Sequence, residues 1–215
     1  MILMTNESIT YRPIRRSDYS ALAALIDTSW NYSELTSSFN AKQMSYAFLF
    51  SSLAHQSFTQ VAVKNNKPVG VAMGRTEEVP ISHKLFLLPL FFNLIALQFT
   101  ADGRKAFQSF RRNFHVNKSL LKQTYETYDG ELVLFAVAPE TQSMGVGSQL
   151  FEDFLKYLRS QGARTFYLFS DTSCTYSFYE HKGLKRTGVI TRKMPFLKKE
   201  ISFFLYRGSV ADLLD

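Results

Sequence analysis

The segment that most constrains the fold is residues 131–147, ELVLFAVAPETQSMGVG, in which an apolar strand leads into a glycine-containing turn. The helix predicted after the turn is amphipathic, and its apolar face carries Leu150, Phe151, Phe154, Leu155 and Leu158. The first N–H groups of a helix have no intrahelical partner and lie at the positive end of the helix dipole. The turn therefore predicts a phosphate or pyrophosphate site, and Gly145 and Gly147 let a ligand approach the backbone closely.

A glycine pair after a strand is also typical of a tight strand-to-helix turn without a ligand, and this alternative stays open at this point. Two nucleotide motifs are excluded. The Rossmann fingerprint needs three glycines in G-x-G-x-x-G, and the P-loop ends in Gly-Lys-Ser or Gly-Lys-Thr, and the turn has neither pattern. The predicted phosphate site is therefore of another kind.

The composition indicates one globular domain. A chain of 215 residues with 46% hydrophobic residues, 20 Phe and 11 Tyr can bury a core unaided. The net charge of +7 favours an acidic partner such as a polyphosphate, a nucleic acid or an anionic membrane, or serves solubility alone. The single cysteine excludes an internal disulfide, and the N-terminus lacks the layout of a signal peptide, so we expect a cytoplasmic protein.

The first part of the chain predicts a strand, two helices and a hairpin. A short strand around residues 9–13 precedes a helix start at Ser17 and Asp18, and a second helix is expected over residues 41–54. From residue 58 the hydrophobic period changes to two. With an Asn-Asn-Lys-Pro turn in its middle, this pattern predicts a hairpin over residues 58–75.

Residues 79–129 interrupt this pattern and are interpreted as a mainly helical insertion. Its apolar run, residues 84–99, is shorter than the roughly 20 residues of a membrane span and contains Pro89, Asn93 and Gln98. A helix that is apolar nearly all round is usually buried in a core, a subunit interface such as that of a homodimer, or a pocket for an apolar substrate. The basic residues that follow indicate a solvated face, with contact to a membrane surface as the alternative; they are Arg104, Lys105, Arg111, Arg112, Lys118 and Lys122.

The last part of the chain predicts a strand–helix–strand crossover. A strand over residues 132–138, a helix over 147–161 and a strand over 165–169 should make a right-handed crossover with parallel strands. A short helix is expected over residues 172–182. Two closing strands then complete a mixed sheet.

Two motifs in this region are specific. Gln142-x-x-Gly145-x-Gly147, then a helix, a strand and Phe178-Tyr179-x-x-x-Gly183-Leu184, resemble the two central motifs of the GCN5-related N-acetyltransferase (GNAT) superfamily. The resemblance covers most of the chain apart from residues 79–129. It implies one α/β domain over residues 1–215, whose central, mixed, mostly antiparallel twisted sheet has a splayed parallel strand pair and helices on both faces. The helical insertion would precede the central strand.

The resemblance also implies acetyl-CoA as co-substrate. The turn residues that would contact CoA are Gln142, Ser143, Met144, Gly145, Val146, Gly147 and Ser148. The pantetheine would pair with the backbone of Val137 and Ala138, and Tyr176 and Tyr179 would lie beside it. Many members carry an Asn seven residues before the Tyr, where this chain has Thr172, whose hydroxyl would have to take over that contact.

Attack of an amine on a thioester needs an acid for the departing thiolate and a donor for the oxyanion. A thiol has a pKa of about 8.5 and a tyrosine of about 10, so Tyr179 is the candidate acid; the alternative is that Tyr179 only packs. The Val137 N–H is the expected oxyanion donor. Glu131 is the candidate base, because the resemblance to histone-acetylating members places a general-base Glu there. Strand alternation puts its carboxylate on the side of Val137 if no bulge intervenes.

Other chemistry is not favoured. No His, Cys or carboxylate cluster has metal-ligand spacing, so no metal is expected. Cys174 would allow a covalent acyl-enzyme, but a free cysteine usually packs. Nucleic-acid binding lacks a base-stacking repeat or a recognition helix.

The sequence therefore predicts an acyl-CoA-dependent N-acetyltransferase that transfers directly, in a ternary complex, to a primary amine of a small molecule or peptide. The acceptor pocket should be apolar and enclosed, walled by the first two helices, the insertion, Tyr176 and Tyr179. A non-catalytic acyl-CoA sensor or interaction module is the alternative.

Overall fold

The structure is a computed structural model, which describes residues 8–77, 83–194 and 199–214. The described residues form one sheet of seven strands, namely β1 (Thr10–Arg12), β2 (Phe58–Lys64), β3 (Lys67–Thr76), β4 (Gly130–Val137), β5 (Thr165–Asp171), β6 (Lys185–Met194) and β7 (Lys199–Ser209). Their order is β1-β2-β3-β4-β5-β7-β6, and β4 and β5 are the parallel pair in an otherwise antiparallel sheet. The predicted mixed, mostly antiparallel fold class is confirmed.

The helices of the described residues are α1 (Tyr19–Trp30), α2 (Tyr32–Leu35), α3 (Ser38–Ala54), α4 (Leu87–Ala96), α5 (Ala101–Thr124), α6 (Val146–Ser160), α7 (Ser177–His181) and α8 (Val210–Leu214). The sequence did not predict α2 and α8. Helix α7 is shorter than the helix predicted over residues 172–182, because the Asp171 carboxylate accepts a hydrogen bond from the Ser173 N–H (2.7 Å) and turns the chain first.

The β2–β3 hairpin confirms the prediction for residues 58–75. Its two central residues, Asn65 and Asn66, have φ values of 51° and 61°. Both lie in the left-handed region that a type I′ hairpin turn requires and that asparagine tolerates better than most residues. Lys67 and the proline after it belong to β3 rather than to the turn.

Helix α6 packs on β2, β3 and β4, and its predicted apolar face is buried. Strand β3 carries glycine where α6 approaches most closely. A Cβ atom at Gly74 would lie 2.2 Å from Cε2 of the fully buried Phe154, and one at Gly70 would lie 2.9 Å from Cδ1 of Leu150. These two glycines therefore set the distance between α6 and the sheet.

The helices of the predicted insertion are held differently from each other. Helix α5 packs Val116 and Leu120 against Ile190 and Leu205 of β6 and β7. Helix α4 lies on α3, and none of its residues is buried. Within this chain only Leu97 of the apolar run 84–99 is buried, and burial of the run in a subunit interface stays a prediction. No described helix is long and apolar enough to cross a membrane. The single-domain boundary of 1–215 stays a prediction.

We predict that Gly74→Ala lowers the free energy of unfolding by about 1–3 kcal/mol, because the new methyl group overlaps the ring of Phe154 in a packed core. Urea unfolding of the parent protein, of the single variants Gly74→Ala and Phe154→Leu, and of the double variant Gly74→Ala/Phe154→Leu measures this in a mutant cycle. The smaller Leu should recover part of the loss. Strictly additive effects would contradict the proposed contact.

Candidate active site

A cavity of ≈ 870 Å³ lies where β4 and β5 diverge. The N-terminal helices contribute Trp30, Tyr32 and Phe48 to its wall, and α5 contributes Phe110 and Phe114. The first helices and the insertion thus surround the cavity as expected. Its volume is within the range of about 300–1,000 Å³ typical of small-molecule sites, and half of its lining residues are aromatic or aliphatic.

The divergence begins almost where the parallel pair begins. β4 and β5 pair at Gly130 with Phe166 and at Glu131 with Tyr167, and pairing stops there. The Asp129 carboxylate joins the strand starts by accepting hydrogen bonds from the N–H groups of Arg164 (2.8 Å) and Thr165 (2.9 Å). These backbone bonds hold the pKa of Asp129 below its usual value.

One side of the gap leads to the N-terminus of α6. A 3₁₀ helix, Pro139–Met144, ends at Gly145, whose φ of +74° is left-handed, and α6 begins at Val146. The first α-helical hydrogen bond of this turn runs from the Gln149 N–H to the Gly145 oxygen (3.0 Å). The N–H groups of residues 146–148 therefore have no partner within the helix.

The surroundings of the turn residues differ. Nothing lies within 4 Å of a Cβ built at Gly145, whereas one at Gly147 would touch Phe178 at 3.5 Å. Val146 is buried, so it presents only its backbone to solvent, while the side chains of Gln142, Ser143, Met144 and Ser148 are exposed.

The backbone of Val137 faces the gap. The Ala138 N–H donates to the Val69 oxygen of β3 (2.8 Å), and neighbouring residues of a strand direct these groups to opposite sides. The Gln142 side chain donates to the Val137 oxygen (3.4 Å). The Ala138 oxygen accepts from the Thr141 N–H (2.9 Å), so both backbone groups of Ala138 are used inside the protein. By the same alternation, the backbone N–H and C=O groups of Phe135, and not those of Ala138, point to the same side as those of Val137.

A β-bulge separates Glu131 from Val137. The β3–β4 register passes from Met73 opposite Leu134 to Gly74 opposite Leu132, which leaves Val133 as the extra residue. A Cβ at Gly130 would touch Leu158 of α6, and Phe135 and Val137 lie beside Gly147 of α6. A bulge does intervene, and Glu131 therefore points to the face opposite Val137.

Glu131 lies in an ion pair at the cavity wall. Its Oε2 accepts from Arg75 Nε (2.7 Å) and from the Tyr167 hydroxyl (3.0 Å), and Arg75 also donates to that hydroxyl (3.3 Å). Burial opposes the charge of Arg75, but the Glu131 carboxylate outweighs it and holds the Arg75 pKa above its usual value. Burial, and then the Glu131 charge, raise the Tyr167 pKa. Sequence reasoning missed Arg75 and Tyr167, since only strand register brings them to Glu131.

Tyr179 lines the cavity from α7 and is buried. Its ring lies between Phe135 (6.2 Å between centroids) and Tyr206 (5.8 Å). Burial, and then the proximity of Cys174 and Tyr206, raise its pKa above the usual tyrosine value. The phenol is therefore protonated at neutral pH.

Tyr176 and Thr172 lie outside the cavity wall. Tyr176 packs edge-on against Phe204 (5.1 Å), with the Arg186 guanidinium 5.5 Å from its ring. The Thr172 hydroxyl accepts from the Ser202 N–H of β7 (3.3 Å). The expectation that Tyr176 walls the pocket is wrong, because its ring faces β7, and Thr172 is engaged with the same strand.

Three further polar groups line the cavity near the far end of β5: Asp171 at the end of the strand, Cys174 just after it, and Tyr32 of α2. Burial, and then the Asp171 charge, raise the pKa of Cys174 to about 12. Burial, and then Cys174 and Asp171, raise the pKa of Tyr32. Sequence reasoning did not single out Asp171 or Tyr32. Among the described residues no group of three or more His, Cys, Asp or Glu could hold a metal ion.

Comparison with known proteins identifies the family. The model of the acetyltransferase (GNAT) family matches residues 21–183, which is most of the chain. This chain is a member of the GNAT acetyltransferase family. The matched region includes the turn of residues 142–147 before and at the start of α6, and it ends just after α7. A search of curated protein sequences finds no match.

Solved structures share the GNAT fold at low sequence identity. An N-acetyltransferase from Staphylococcus aureus Mu50 is 14% identical with a TM-score of 0.56, over 94% of this chain and 99% of that one. The ribosomal-protein-S18-alanine N-acetyltransferase from Escherichia coli is 14% identical with a TM-score of 0.54, over 94% of each chain. An aminoglycoside 6′-N-acetyltransferase complexed with coenzyme A is 13% identical with a TM-score of 0.54, over 94% and 97%.

We predict that Cys174 reacts slowly with iodoacetamide. With a pKa of about 12 instead of about 8.5, its thiolate fraction at pH 8 is roughly a thousandfold below that of a free thiol. Mass spectrometry of the single cysteine should show alkylation at least a hundredfold slower than that of glutathione. The rate should keep rising above pH 9, because deprotonation of Cys174 continues there; a plateau near pH 8.5 would contradict the raised pKa.

Proposed function

We propose that this GNAT protein transfers an acetyl group from acetyl-CoA directly to a primary amine of a small molecule or peptide, in a ternary complex. The observation that carries the proposal is the gap between β4 and β5. The ≈ 870 Å³ cavity runs through this gap, from Gly147 and Ser148 at the N-terminus of α6 to Phe114 of α5 on its far side. A thioester bound at the α6 end of the cavity and an amine bound at its far end would meet in this gap.

The turn residues fit the CoA pyrophosphate. We assign it to the N–H groups of residues 144–148, with the side chains of Gln142 and Ser143 beside it. The left-handed Gly145 and the open space around it support this assignment, because nothing in the protein blocks a close approach. Aligned N–H groups at a helix start favour a negatively charged group.

The pantetheine is assigned to the backbone of Val137. Its N–H and C=O face the gap. The C=O is assigned to an amide N–H of the pantetheine, and the N–H is kept for the thioester carbonyl oxygen. Phe135 replaces Ala138 as the second pairing residue, since both backbone groups of Ala138 are occupied. The Thr172 hydroxyl is bonded to β7, and we assign it no contact with CoA.

Each step of the reaction has a candidate group in the chain. As the amine nitrogen bonds to the acetyl carbon, the Val137 N–H donates to the carbonyl oxygen, which gains negative charge. As the carbon–sulfur bond breaks, Tyr179 donates its proton to the sulfur, and the phenolate is reprotonated by solvent. The raised pKa of Tyr179 keeps the phenol protonated before the reaction, and it also makes the proton transfer to the sulfur more unfavourable than for an ordinary tyrosine.

Glu131 is assigned the role of accepting the ammonium proton through water. Arg75 and Tyr167 hold its carboxylate in a fixed position at the cavity wall. Because the bulge turns Glu131 away from Val137, a direct contact with the reacting carbon is not part of the assignment.

The cavity supports an apolar, enclosed acceptor. Trp30, Tyr32, Phe48, Phe110 and Phe114 supply aromatic walls. Its charged lining residues are the Glu131–Arg75 ion pair, the Asp171 carboxylate and the Lys118 ammonium. An amine on an apolar or aromatic body matches this combination better than a long polar peptide does.

We predict that Tyr179→Phe lowers kcat by about 10²- to 10⁴-fold, because the thiolate loses its proton donor. Thiol release from acetyl-CoA, measured against a panel of small amines, amino acids and peptides, gives kcat, and calorimetry gives the CoA affinity. CoA affinity should stay within threefold of the parent protein, since the pyrophosphate turn is unchanged.

The matched control is Tyr176→Phe. Tyr176 lies about one helical turn before Tyr179 but outside the cavity wall, so this variant removes a tyrosine hydroxyl without changing the cavity. It should leave kcat nearly unchanged. CoA binding without thiol release for any acceptor would favour the alternative of an acyl-CoA sensor. Absence of both CoA binding and thiol release would refute the proposed function.

We predict that Gly145→Ala weakens CoA binding at least tenfold, because a methyl group there occupies the space assigned to the pyrophosphate. Gly162→Ala is the matched control: Gly162 also has a φ of +74° and nothing within 4 Å of a built Cβ, but it follows the C-terminal end of α6. Both variants should lose similar stability, about 1 kcal/mol, from the left-handed strain.

Calorimetric titration with CoA and urea unfolding, applied to both variants, separate affinity from stability. Equal CoA affinities in the two variants would place the pyrophosphate away from Gly145.

A further inference from the structure

Helix α4 presents an apolar face to solvent. Its outward residues are large and recur at helical spacing, and they include Leu85 just before the helix and Phe99 just after it. Leu85 is 88% exposed, Phe92 is 59% exposed and Phe99 is 79% exposed. A monomer rarely leaves so many adjacent large apolar side chains in water, and such patches mark interaction surfaces. We call this surface, made of Leu85, Leu88, Phe91, Phe92, Ile95 and Phe99, the α4 apolar face.

The fold holds this face outward. On the inner side Leu97 is fully buried with Met44 of α3 and Ala106 of α5, and Leu94 packs against the same cluster. At the next helix the Thr100 hydroxyl caps α5 and also bonds with the buried Asn40 side chain of α3. The inner side of the segment is therefore already occupied, and rotation cannot bury the outer side.

The same segment carries most of the net positive charge of the protein. Residues 84–124 contain seven Lys and Arg and one acidic residue, so six of the seven net charges of the chain lie there. The acidic residue, Asp102, is paired with Lys105 (3.0 Å).

Two of these charges lie at the ends of the α4 apolar face. Arg104 donates from its guanidinium to the Gln98 oxygen (2.9 Å), which places it at the C-terminal end of the apolar run, and Lys84 is exposed at the other end. Four exposed cations recur along one side of α5 at spacings of seven and four residues. We call Arg104, Arg111, Lys118 and Lys122 the α5 basic stripe.

We propose that the α4 apolar face and the α5 basic stripe dock this protein on the surface of an anionic lipid bilayer. The apolar side chains would enter the boundary between headgroups and acyl chains, and the cations would bind anionic headgroups, as in interfacial amphipathic helices. The helix lies on the surface and does not span it, since no described helix has the length and hydropathy for a span.

Two other occupants fit the surface less well. A second copy of the chain would bring two segments of net charge +6 together, and like charges oppose that contact. A nucleic acid would match the basic stripe through its phosphates but would leave the α4 apolar face in water. An anionic bilayer satisfies both parts of the surface.

Vesicle flotation of the full chain tests the proposal. The probes are vesicles of phosphatidylcholine alone and of phosphatidylcholine mixed with phosphatidylserine at about one part in three. The protein should float with the mixed vesicles and at least tenfold less with phosphatidylcholine alone. High salt should weaken the binding, because it screens the attraction between Lys or Arg and the headgroups.

Paired variants separate the two contributions. Leu88→Ser/Phe92→Ser should lower partitioning at least tenfold, whereas Val189→Ser, at a residue of β6 that is 51% exposed, should not change it. Arg111→Gln/Lys122→Gln should lower it roughly tenfold. Its control, Lys67→Gln/Lys185→Gln, removes the same charge from exposed sites outside the segment and should change it less than threefold. Circular dichroism of each variant verifies folding.

Absence of flotation with the mixed vesicles, or flotation that Leu88→Ser/Phe92→Ser leaves unchanged, would overturn the proposal. Sedimentation equilibrium tests self-association. If the protein does not bind vesicles but forms a dimer that these two substitutions dissociate, the α4 apolar face would be assigned to a second copy of the chain. These readouts do not depend on CoA or on turnover, so they are independent of the proposed acetyl transfer.

Discussion

The Asp129 carboxylate joins β4 and β5 at the point from which they diverge. It bonds to the first backbone N–H groups of the neighbouring strand, and the Asp129 N–H itself donates to the Thr165 oxygen (3.0 Å). Two residue pairs follow, and then the bulge at Val133 bends β4 away. A parallel pair tied at one end and bent at the other must open into a wedge. The gap, the cavity and the free backbone of Val137 all depend on this geometry.

Aromatic packing keeps the wedge open on the α7 side. The Phe178 ring stacks on Phe135 (5.3 Å), and the Tyr179 ring lies next to both. Rings of this size cannot collapse toward each other without loss of packed contacts, so they hold α7 at a fixed distance from β4. The candidate acid is thus positioned by its ring, and its hydroxyl is left to the cavity.

The sequence predicted features that depend on neighbouring residues. The Asn65-Asn66 turn, the apolar face of α6 and the parallel crossover follow from local chemistry and periodicity, and the structure has all of them. The triad of Arg75, Glu131 and Tyr167 is different, because it unites residues 56 and 36 positions apart in sequence through strand register. One extra residue in β4 also reverses which face Glu131 occupies, and no local pattern in the sequence marks that bulge. The exposure of α4 was missed because periodicity reports which side chains are apolar, and does not report how much surface the rest of the fold can cover.

The wedge has a thermodynamic consequence for the whole protein. Beyond Glu131, β4 is a sheet edge inside the molecule, with backbone groups that β5 does not pair. A native state with an incomplete hydrogen-bond ladder is less stable than the same sheet with the ladder completed, and a ligand that pairs with Val137 completes it only in the folded chain. Ligand binding and folding stability are then linked. At a ligand concentration about 100 times Kd, the free energy of unfolding rises by about 2.7 kcal/mol. A higher concentration of such a ligand would therefore lower the unfolded fraction of this protein.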